Sequence, residues 1–285
     1  MAYEREEKVS KKKIMNMIII ILFATLIFCG IIFYRELKLI KQETSRYETM
    51  QDAYTTVNYT QETVFDDESI INPDDNDRVP PEWAGLPLLD VDFESLLENN
   101  PDTVGWIAIP YTPINYPVVQ TTNNRKYLTT SFDGEYSRTG TPFVDCNNNI
   151  YILDTNTIIY GHNMGSGRDD MFGSLLEYKD YDYFTANRYI QFDTINRKYG
   201  WWEIFAVIEY DVRSNAFEYL QINFNSSERF MDWVERVKEL SIHNSNTEIT
   251  PYDRILTLST CDRGTYGRNG RVLILAVNVS HIALG

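Results

Sequence analysis

One cysteine in the sequence has the surroundings of a reactive nucleophile. Cys261 closes the predicted strand ILTLSTC, and the charged turn DRG follows it directly. Side chains alternate along a strand, so Cys261 shares its face with the hydroxyl groups of Thr257 and Ser259. Most free cysteines are buried small apolar residues. The polar face and the position at a strand end instead favour a thiolate that attacks a carbonyl group.

A histidine and an arginine on two other predicted strands are candidates to assist that thiolate. His162 ends the run TIIYGHNMGSG, whose glycines on both sides of the histidine permit a sharp turn. The loop DRGTYGRNG separates Cys261 from Arg271, which opens the apolar run RVLILAVNV. Such a loop predicts an antiparallel hairpin that places Cys261 and Arg271 side by side at one sheet edge. The residues alone leave open a solvated loop histidine and an arginine that extends to solvent.

Short strands must position these residues. Seven runs rich in β-branched and aromatic residues are bounded by Gly, Pro, Asn or Asp and have few helices between them. This pattern predicts a mainly β fold, a closed or nearly closed barrel rather than a doubly wound sheet. The runs are GWIAIP, INYPVVQ, NTIIYGH, RYIQFDT, WWEIFAVIEY, DRILTLST and RVLILAVNV.

Two helices are predicted in the same region. Asp92 is a suitable N-cap for a short helix that ends at the sequence NNP. A second helix is inserted before the strand of Cys261, with Asn225 as its predicted N-cap and Glu228 three residues later. Insertions at the mouth of a barrel commonly shape binding sites. The apolar face of the second helix consists of Phe230, Val234 and Val237.

An apolar segment near the N-terminus predicts a membrane anchor. Residues 14–34 carry no charged side chain, and about 20 helical residues span a bilayer core. Lysines precede the segment, which favours a cytoplasmic N-terminus and an extracellular catalytic domain. A cleaved signal peptide is the alternative, but no small-x-small cleavage site follows. The predicted parts are a cytoplasmic tail over 1–13, the anchor over 14–34, a stalk over 35–82 that begins with a helix over 36–54, and a catalytic domain over 83–285.

Composition excludes several classes of function. The chain has 26 Lys and Arg against 41 Asp and Glu, a formal charge of −15, whereas nucleic-acid binding by phosphate neutralisation needs a basic surface. Three cysteines are too few for a disulfide framework or a cysteine-rich zinc site. His, Cys and Asp residues lack the spacing of metal ligands, so we expect neither a metal nor another cofactor. His243 and His281 are interpreted as surface residues.

The motifs around the three candidate residues resemble those of a known family. TLSTC at 257–261, Arg271 ten positions after the cysteine and IYGHN at 159–163 are similar to the motifs of the sortases, membrane-anchored cysteine transpeptidases of Gram-positive bacteria. The runs NYPVVQ and MFGSLLEY and the inserted helix resemble class B in particular, and the likeness extends from Asp92 to Val279. The resemblance implies a closed eight-stranded β-barrel with added helices and a single N-terminal transmembrane helix.

The resemblance also implies a reaction. A class B sortase cuts a C-terminal sorting signal after its Thr, in an NPxTN-like or xPxTG-like motif, and joins the Thr to an amine of the peptidoglycan precursor. Cys261 would form a thioester with the Thr, while His162 would act first as general acid and then as general base. Arg271 would stabilise the oxyanion together with the backbone N–H of Asp262.

A substrate groove is implied as well. Seven residues are similar to those that line it in class B. They are Asn124 and Leu128 on one side, Asn215, Tyr219 and Leu220 in a lid before the inserted helix, and Ser259 and Asp262 beside the cysteine. The family pattern has a Thr where this chain has Asn215, which leaves the preferred sorting motif open.

Two other functions are compatible with parts of the sequence. An L,D-transpeptidase-type cell-wall enzyme has an Arg two positions after its cysteine, as Arg263 is here, but a Gly before it, where this chain has Thr260. A membrane-tethered binding module without enzyme activity would use Tyr-rich loops as its contact surface. A thioester of a sorting peptide trapped on Cys261 would exclude both alternatives.

Overall fold

The structure describes most of the chain. The computed structural model describes residues 2–58, 85–165, 167–214 and 217–279. The chain divides into two compact units, residues 1–49 and residues 50–285.

A single helix runs through the first unit. Helix α1 (Ala2–Tyr54) is long and apolar enough to cross a membrane. The helix predicted over 36–54 is confirmed as part of α1, which continues without a break after the apolar segment. The limits of the tail, anchor, stalk and catalytic domain stay predictions. Much of the predicted stalk, residues 59–84, lies outside the described residues.

A small sheet and a short helix follow α1 in the second unit. Strand β1 (Thr55–Asn58) pairs with β2 (Leu88–Val91) in antiparallel orientation. Helix α2 (Phe93–Asn99) comes next, and the Asp92 carboxylate accepts a hydrogen bond of 3.0 Å from the backbone N–H of Ser95. The predicted N-cap of this helix is therefore confirmed.

Eight strands within the described residues close into a barrel. The strands are β3 (Thr103–Ala108), β4 (Asn115–Val119), β5 (Phe143–Val144), β6 (Asn156–Tyr160), β7 (Tyr189–Thr194), β8 (Trp201–Asp211), β9 (Ile255–Cys261) and β10 (Gly270–Asn278). Their order around the barrel is β10-β8-β7-β3-β4-β5-β6-β9. The closed eight-stranded barrel is confirmed.

Seven of these strands coincide with the seven runs in the sequence, and the eighth does not. Strand β5 has two residues, too few for any alternating pattern to be visible. It nevertheless closes the barrel, because Phe143 pairs with Val119 of β4 on one side and with Tyr160 of β6 on the other.

The pairing of β6 with β9 is parallel, whereas that of β9 with β10 is antiparallel. The carboxyl ends of β6 and β9 and the start of β10 therefore meet at one edge of the barrel. This edge is where His162, Cys261 and Arg271 lie.

The inserted helix packs on the outside of the barrel. The remaining helical elements are α3 (Tyr181–Ala186), α4 (Ser227–Leu240) and 3-10 turns at Lys126–Leu128, Gly173–Lys179 and Gly267–Asn269. The predicted apolar face of α4 is buried, together with Trp233, against residues of β8 and β10 such as Phe205 and Leu273. Burial of each such side chain stabilises the fold by about 1.5–3 kcal/mol.

The N-cap of α4 differs from the prediction by one residue. The cap is Ser226 rather than Asn225, because Ser226 has the extended backbone of a cap and its hydroxyl accepts a hydrogen bond of 3.3 Å from the Arg229 N–H. Glu228 lies in the first turn, where a negative charge is favourable.

Candidate active site

Three adjacent strands bring the three candidate residues into one row. Arg271 of β10 lies directly opposite Cys261 of β9. Tyr160 of β6 pairs with Ser259, two residues before the cysteine, so His162 follows at the level of Cys261. The predicted hairpin that joins Cys261 to Arg271 is thereby confirmed.

The Cys261–Arg271 pair belongs to the close type of antiparallel pair. The next backbone N–H, that of Asp262, donates a hydrogen bond of 3.0 Å to the Gly270 carbonyl. Cys261 and Arg271 therefore form a non-hydrogen-bonded pair, in which Cα atoms are about 4.5 Å apart and side chains are close together. The guanidinium and the thiol extend from neighbouring positions.

Two bonds extend the contact between the two parallel strands beyond the end of β6. The Gly161 N–H donates to the Ser259 carbonyl at 3.2 Å, and the Thr260 hydroxyl donates to the Gly161 carbonyl at 2.8 Å. Gly161 is required here, because a Cβ at this position would lie 2.4 Å from the ring of Phe172.

The imidazole of His162 is oriented by a backbone carbonyl. Its Nε2 lies 2.8 Å from the carbonyl oxygen of Leu128. A carbonyl only accepts, so Nε2 carries a proton and Nδ1 is the nitrogen left for other partners. The His162 carbonyl in turn accepts a hydrogen bond of 2.9 Å from Phe172. Leu128, a predicted groove residue, thus contacts the histidine through its main chain.

The guanidinium of Arg271 is only partly engaged. Nη1 donates to the carbonyls of Gly270 at 2.7 Å and Arg268 at 3.3 Å. Within the described residues these are its hydrogen bonds, so Nε and Nη2 are available to another partner. Burial raises the pKa of the neighbouring Tyr219, and the positive charge of Arg271 opposes that rise.

Ser259 and Tyr219 are buried beside this row. The Ser259 Oγ is fully buried and has no hydrogen-bond partner among the described residues. The Ser259 hydroxyl opposes the rise in the Tyr219 pKa, so the two hydroxyls are close together, but their geometry falls short of a hydrogen bond.

The lid residues are held by a buried asparagine of β6. Asn156 donates to the carbonyls of Tyr219 at 3.2 Å and Gln221 at 2.9 Å. The ring of Tyr219 is buried, whereas the side chain of Leu220 is 47% exposed and available for contact. Asn215, the third predicted lid residue, lies outside the described residues.

Asn124 is fixed at both ends of its amide. Nδ2 donates to Asp145 at 2.9 Å, and Oδ1 accepts from the Cys146 N–H at 2.8 Å. The same Asp145 oxygen accepts the Tyr160 hydroxyl at 2.7 Å. Burial and the Asp145 charge raise the pKa of Tyr160 well above its usual value, so the phenol stays a donor.

Asp262 does not have the position expected for a groove residue. Its N–H is used in the hairpin by Gly270, so it is not the free oxyanion donor that was predicted. Its buried carboxylate accepts hydrogen bonds from Lys179 at 2.6 Å and from the Gly264 N–H at 2.9 Å. Burial raises the Asp262 pKa, but these hydrogen bonds outweigh burial, and the pKa lies below its usual value. Lys179 also pairs with Glu209 at 2.7 Å. The carboxylate therefore stabilises the turn after the cysteine.

A second histidine is occupied elsewhere. His243, predicted on the surface, is half-buried: its ring stacks on Phe184 at 5.0 Å and its Nε2 donates to the Tyr178 carbonyl at 2.8 Å. His281 lies outside the described residues. Among the described residues, no three His, Cys, Asp or Glu side chains are grouped as metal ligands.

Comparison with known proteins decides the family. The model of the Sortase domain family matches residues 107–279. Sortase B of Listeria monocytogenes is 38% identical over 183 residues, which cover 64% of this chain and 72% of that protein. Sortase B of Staphylococcus aureus is 34% identical over 186 residues, or 65% of this chain and 73% of that protein. The chain belongs to the class B sortases.

Solved structures of class B sortases have the same fold. A Staphylococcus aureus sortase B-substrate complex matches with a TM-score of 0.65 at 29% identity, over 85% of this chain and 98% of that chain. Sortase B from B. anthracis in complex with AAEK1 matches with a TM-score of 0.58 at 34% identity, over 66% and 83% of the two chains. The protein is therefore a sortase-type transpeptidase, and its family anchors proteins to the cell wall.

Sequence reasoning missed three residues that shape the site of this sortase. They are Asn163, Asp145 and Lys179. Asn163 stands within the IYGHN motif, so its place beside the histidine was a usable signal. Asp145 contacts Asn124, which is 21 positions away, and Lys179 contacts Asp262, which is 83 positions away. Nothing in the local pattern of either residue indicates such partners.

Proposed function

We propose that this sortase cleaves C-terminal sorting signals after a Thr, through a thioester on Cys261, and transfers the Thr to an amine of the peptidoglycan precursor. His162 is proposed as the proton donor and acceptor, and Arg271 as the oxyanion donor. The row of Cys261 at the end of β9, Arg271 at the start of β10 and His162 two residues after β6 carries this proposal. It brings a nucleophile, a titratable ring and a permanent cation to one barrel edge.

The proposed reaction has two halves. In the first, the Cys261 thiolate attacks the Thr carbonyl carbon, His162 gives a proton to the departing amine, and the C–N bond breaks to leave a thioester. In the second, the precursor amine attacks the thioester, His162 accepts its proton, and the thiolate leaves. A new amide bond replaces the old one, so the protons and electrons balance.

The orientation of the imidazole supports this role for His162. Protonated histidine donates from both nitrogens. Nε2 already donates to the Leu128 carbonyl, so Nδ1 is the nitrogen that exchanges a proton with the reacting amine. The Leu128 carbonyl stabilises the charged ring while that proton is present.

The free guanidinium nitrogens support the proposed role of Arg271. Nη1 is fixed by the Gly270 and Arg268 carbonyls, which leaves Nε and Nη2 for an oxyanion or a substrate carbonyl. A guanidinium donates through a planar fork. The two predicted oxyanion donors are Arg271 and the backbone N–H of Asp262. Because the Asp262 N–H is engaged in the hairpin, Arg271 is the donor that remains.

The surface next to this row suits a peptide substrate. Leu128 and Leu220 offer exposed apolar side chains, while Ser259 and Tyr219 are buried beside the row. We propose that NPxTN-like or xPxTG-like peptides lie here, with Asn124 and Asn215 as further contacts.

Detection of the acyl-enzyme tests the proposed function. Full-length protein in detergent, incubated with a peptide that contains an NPxTN-like or xPxTG-like core, should gain the mass of the N-terminal peptide half at Cys261. Hydroxylamine should release it, because a thioester is cleaved by this nucleophile. A peptide with the Thr replaced by Ala is the control. Absence of any adduct with either core would contradict the proposal and favour a binding module.

The membrane helix is proposed to anchor the catalytic unit on the extracellular face, with the N-terminus in the cytoplasm. Since residues 50–285 form a compact unit of their own, deletion of residues 1–34 is expected to give a soluble protein. That protein should cleave a free sorting peptide at a rate close to that of the full chain in detergent. Loss of all activity in a folded truncated protein would show that the anchor contributes to catalysis directly.

A further inference from the structure

The carbonyl of the proposed nucleophile has an unusual hydrogen-bond partner. Along β9, the Ser259 carbonyl faces β6 and accepts the Gly161 N–H. The Cys261 carbonyl, two residues on, faces the same side. In a regular parallel ladder its donor would be the backbone N–H two residues after Gly161, that of Asn163. Instead, the Asn163 side chain donates, with Nδ2 at 2.8 Å from the Cys261 oxygen.

The other end of the same amide holds the histidine loop. Oδ1 of Asn163 accepts the Gly165 N–H at 2.7 Å. The orientation of the amide is unambiguous, because the Cys261 carbonyl only accepts and the Gly165 N–H only donates. Asn163 also bridges to Met171, which closes this loop.

We infer that Asn163 is a positioning residue for the transpeptidation centre, which fixes the separation of His162 and Cys261 by joining the loop of one to the main chain of the other. His162 is adjacent to Asn163 in the chain, so its Cα moves with the amide. The inference rests on the proposed function, since it assumes that these two residues exchange protons during the reaction.

The hydrogen bond from Asn163 to Cys261 lies beyond the last residue pair of the β6–β9 ladder. β6 ends at Tyr160, so backbone pairing does not reach His162. The half-buried Asn163 amide continues the contact between the two chain segments to the level of Cys261. Displacement of a catalytic group by about 1 Å can lower a rate about a hundredfold.

Two substitutions remove the bond to the Cys261 carbonyl in different ways. Asn163→Asp keeps an oxygen for the Gly165 N–H but replaces the donor to Cys261 by a second acceptor. Asn163→Ser is neutral and its shorter side chain does not reach the Cys261 carbonyl, which controls for the charge of the aspartate. We expect kcat to fall about 10- to 100-fold in both variants, while KM for the sorting peptide changes little.

The matched control lies at the other end of β6. Asn223 is also an asparagine whose side chain donates, to Asp154 at 2.7 Å, and accepts, from the Thr155 N–H at 3.2 Å. Asn223→Ser removes a comparable pair of bonds far from the reactive row. It should leave kcat and KM as in the wild type.

The measurement is kcat and KM of the full chain in detergent with one fluorogenic sorting peptide. Rates are normalised to the folded fraction from near-UV circular dichroism at the assay temperature. A wild type without activity would contradict the proposed function. With an active wild type, a normalised kcat near the wild-type value in Asn163→Ser, or a loss that Asn223→Ser reproduces, would overturn the role of Asn163.

Discussion

Cys261→Ala is expected to abolish both peptide cleavage and transfer, with a rate loss of at least about a thousandfold. Among the described residues at this barrel edge, the Cys261 thiol is the group that forms the acyl-enzyme in the proposed reaction. Cys261 lies at the end of β9 and is half-exposed, so its replacement by alanine removes little packing. We would measure cleavage of a fluorogenic sorting peptide and the melting temperature of both proteins.

Cys146→Ala is the matched control for this experiment. Cys146 is a second half-buried free thiol of the same unit, and its contact with Asn124 is made by the backbone N–H, which alanine retains. This variant should keep its activity. A sizeable fraction of wild-type cleavage in Cys261→Ala, with a normal melting temperature, would show that the proposed nucleophile is wrong.

Arg271→Lys and His162→Gln are expected to separate the two assisting roles. Lysine keeps the positive charge but loses the planar fork, so an oxyanion role predicts a loss of about 10²- to 10³-fold in kcat. Glutamine keeps hydrogen bonding but does not transfer protons, and a general acid–base role predicts a loss of about 10²- to 10⁴-fold. Cleavage rates of one peptide are compared for the three proteins.

The matched control for Arg271→Lys is Arg268→Lys. Arg268 contacts the Arg271 guanidinium through its backbone carbonyl, which the substitution preserves, so cleavage should remain normal. Near-normal turnover in Arg271→Lys would mean that charge alone is needed. Near-normal turnover in His162→Gln would remove the histidine from the reaction.

The sequence predicted the reactive row because the relevant signals are local. Strand ends, a loop of suitable length and an unusual polar face made Cys261, Arg271 and His162 candidates, and the resemblance of TLSTC and IYGHN to sortase motifs then implied their roles. The register of β9 against β10 then confirmed the neighbouring positions of the first two residues. The seven runs rich in β-branched and aromatic residues were likewise sufficient to predict a closed or nearly closed barrel, because this composition is a property of each strand alone. The resemblance implied the count of eight strands.

The features that the sequence did not predict depend on distant partners. The two-residue β5 exists through pairing with β4 and β6 rather than through its own pattern. The engagement of the Asp262 N–H follows from the hairpin extending one bond beyond Cys261, which loop length does not determine. The choice of Ser226 over Asn225 as a cap depends on a backbone angle, for which both residue types are suitable.

The parallel pairing of β6 with β9 has a consequence for folding. The bonds that join their ends connect residues 98 and 99 positions apart, and contacts of such separation form slowly because a long loop must first close. A chain in which β9 has not yet joined β6 holds His162 and Cys261 apart. The proposed reaction therefore requires the completed barrel, and a partly folded chain carries a thiol without its histidine rather than an active transferase.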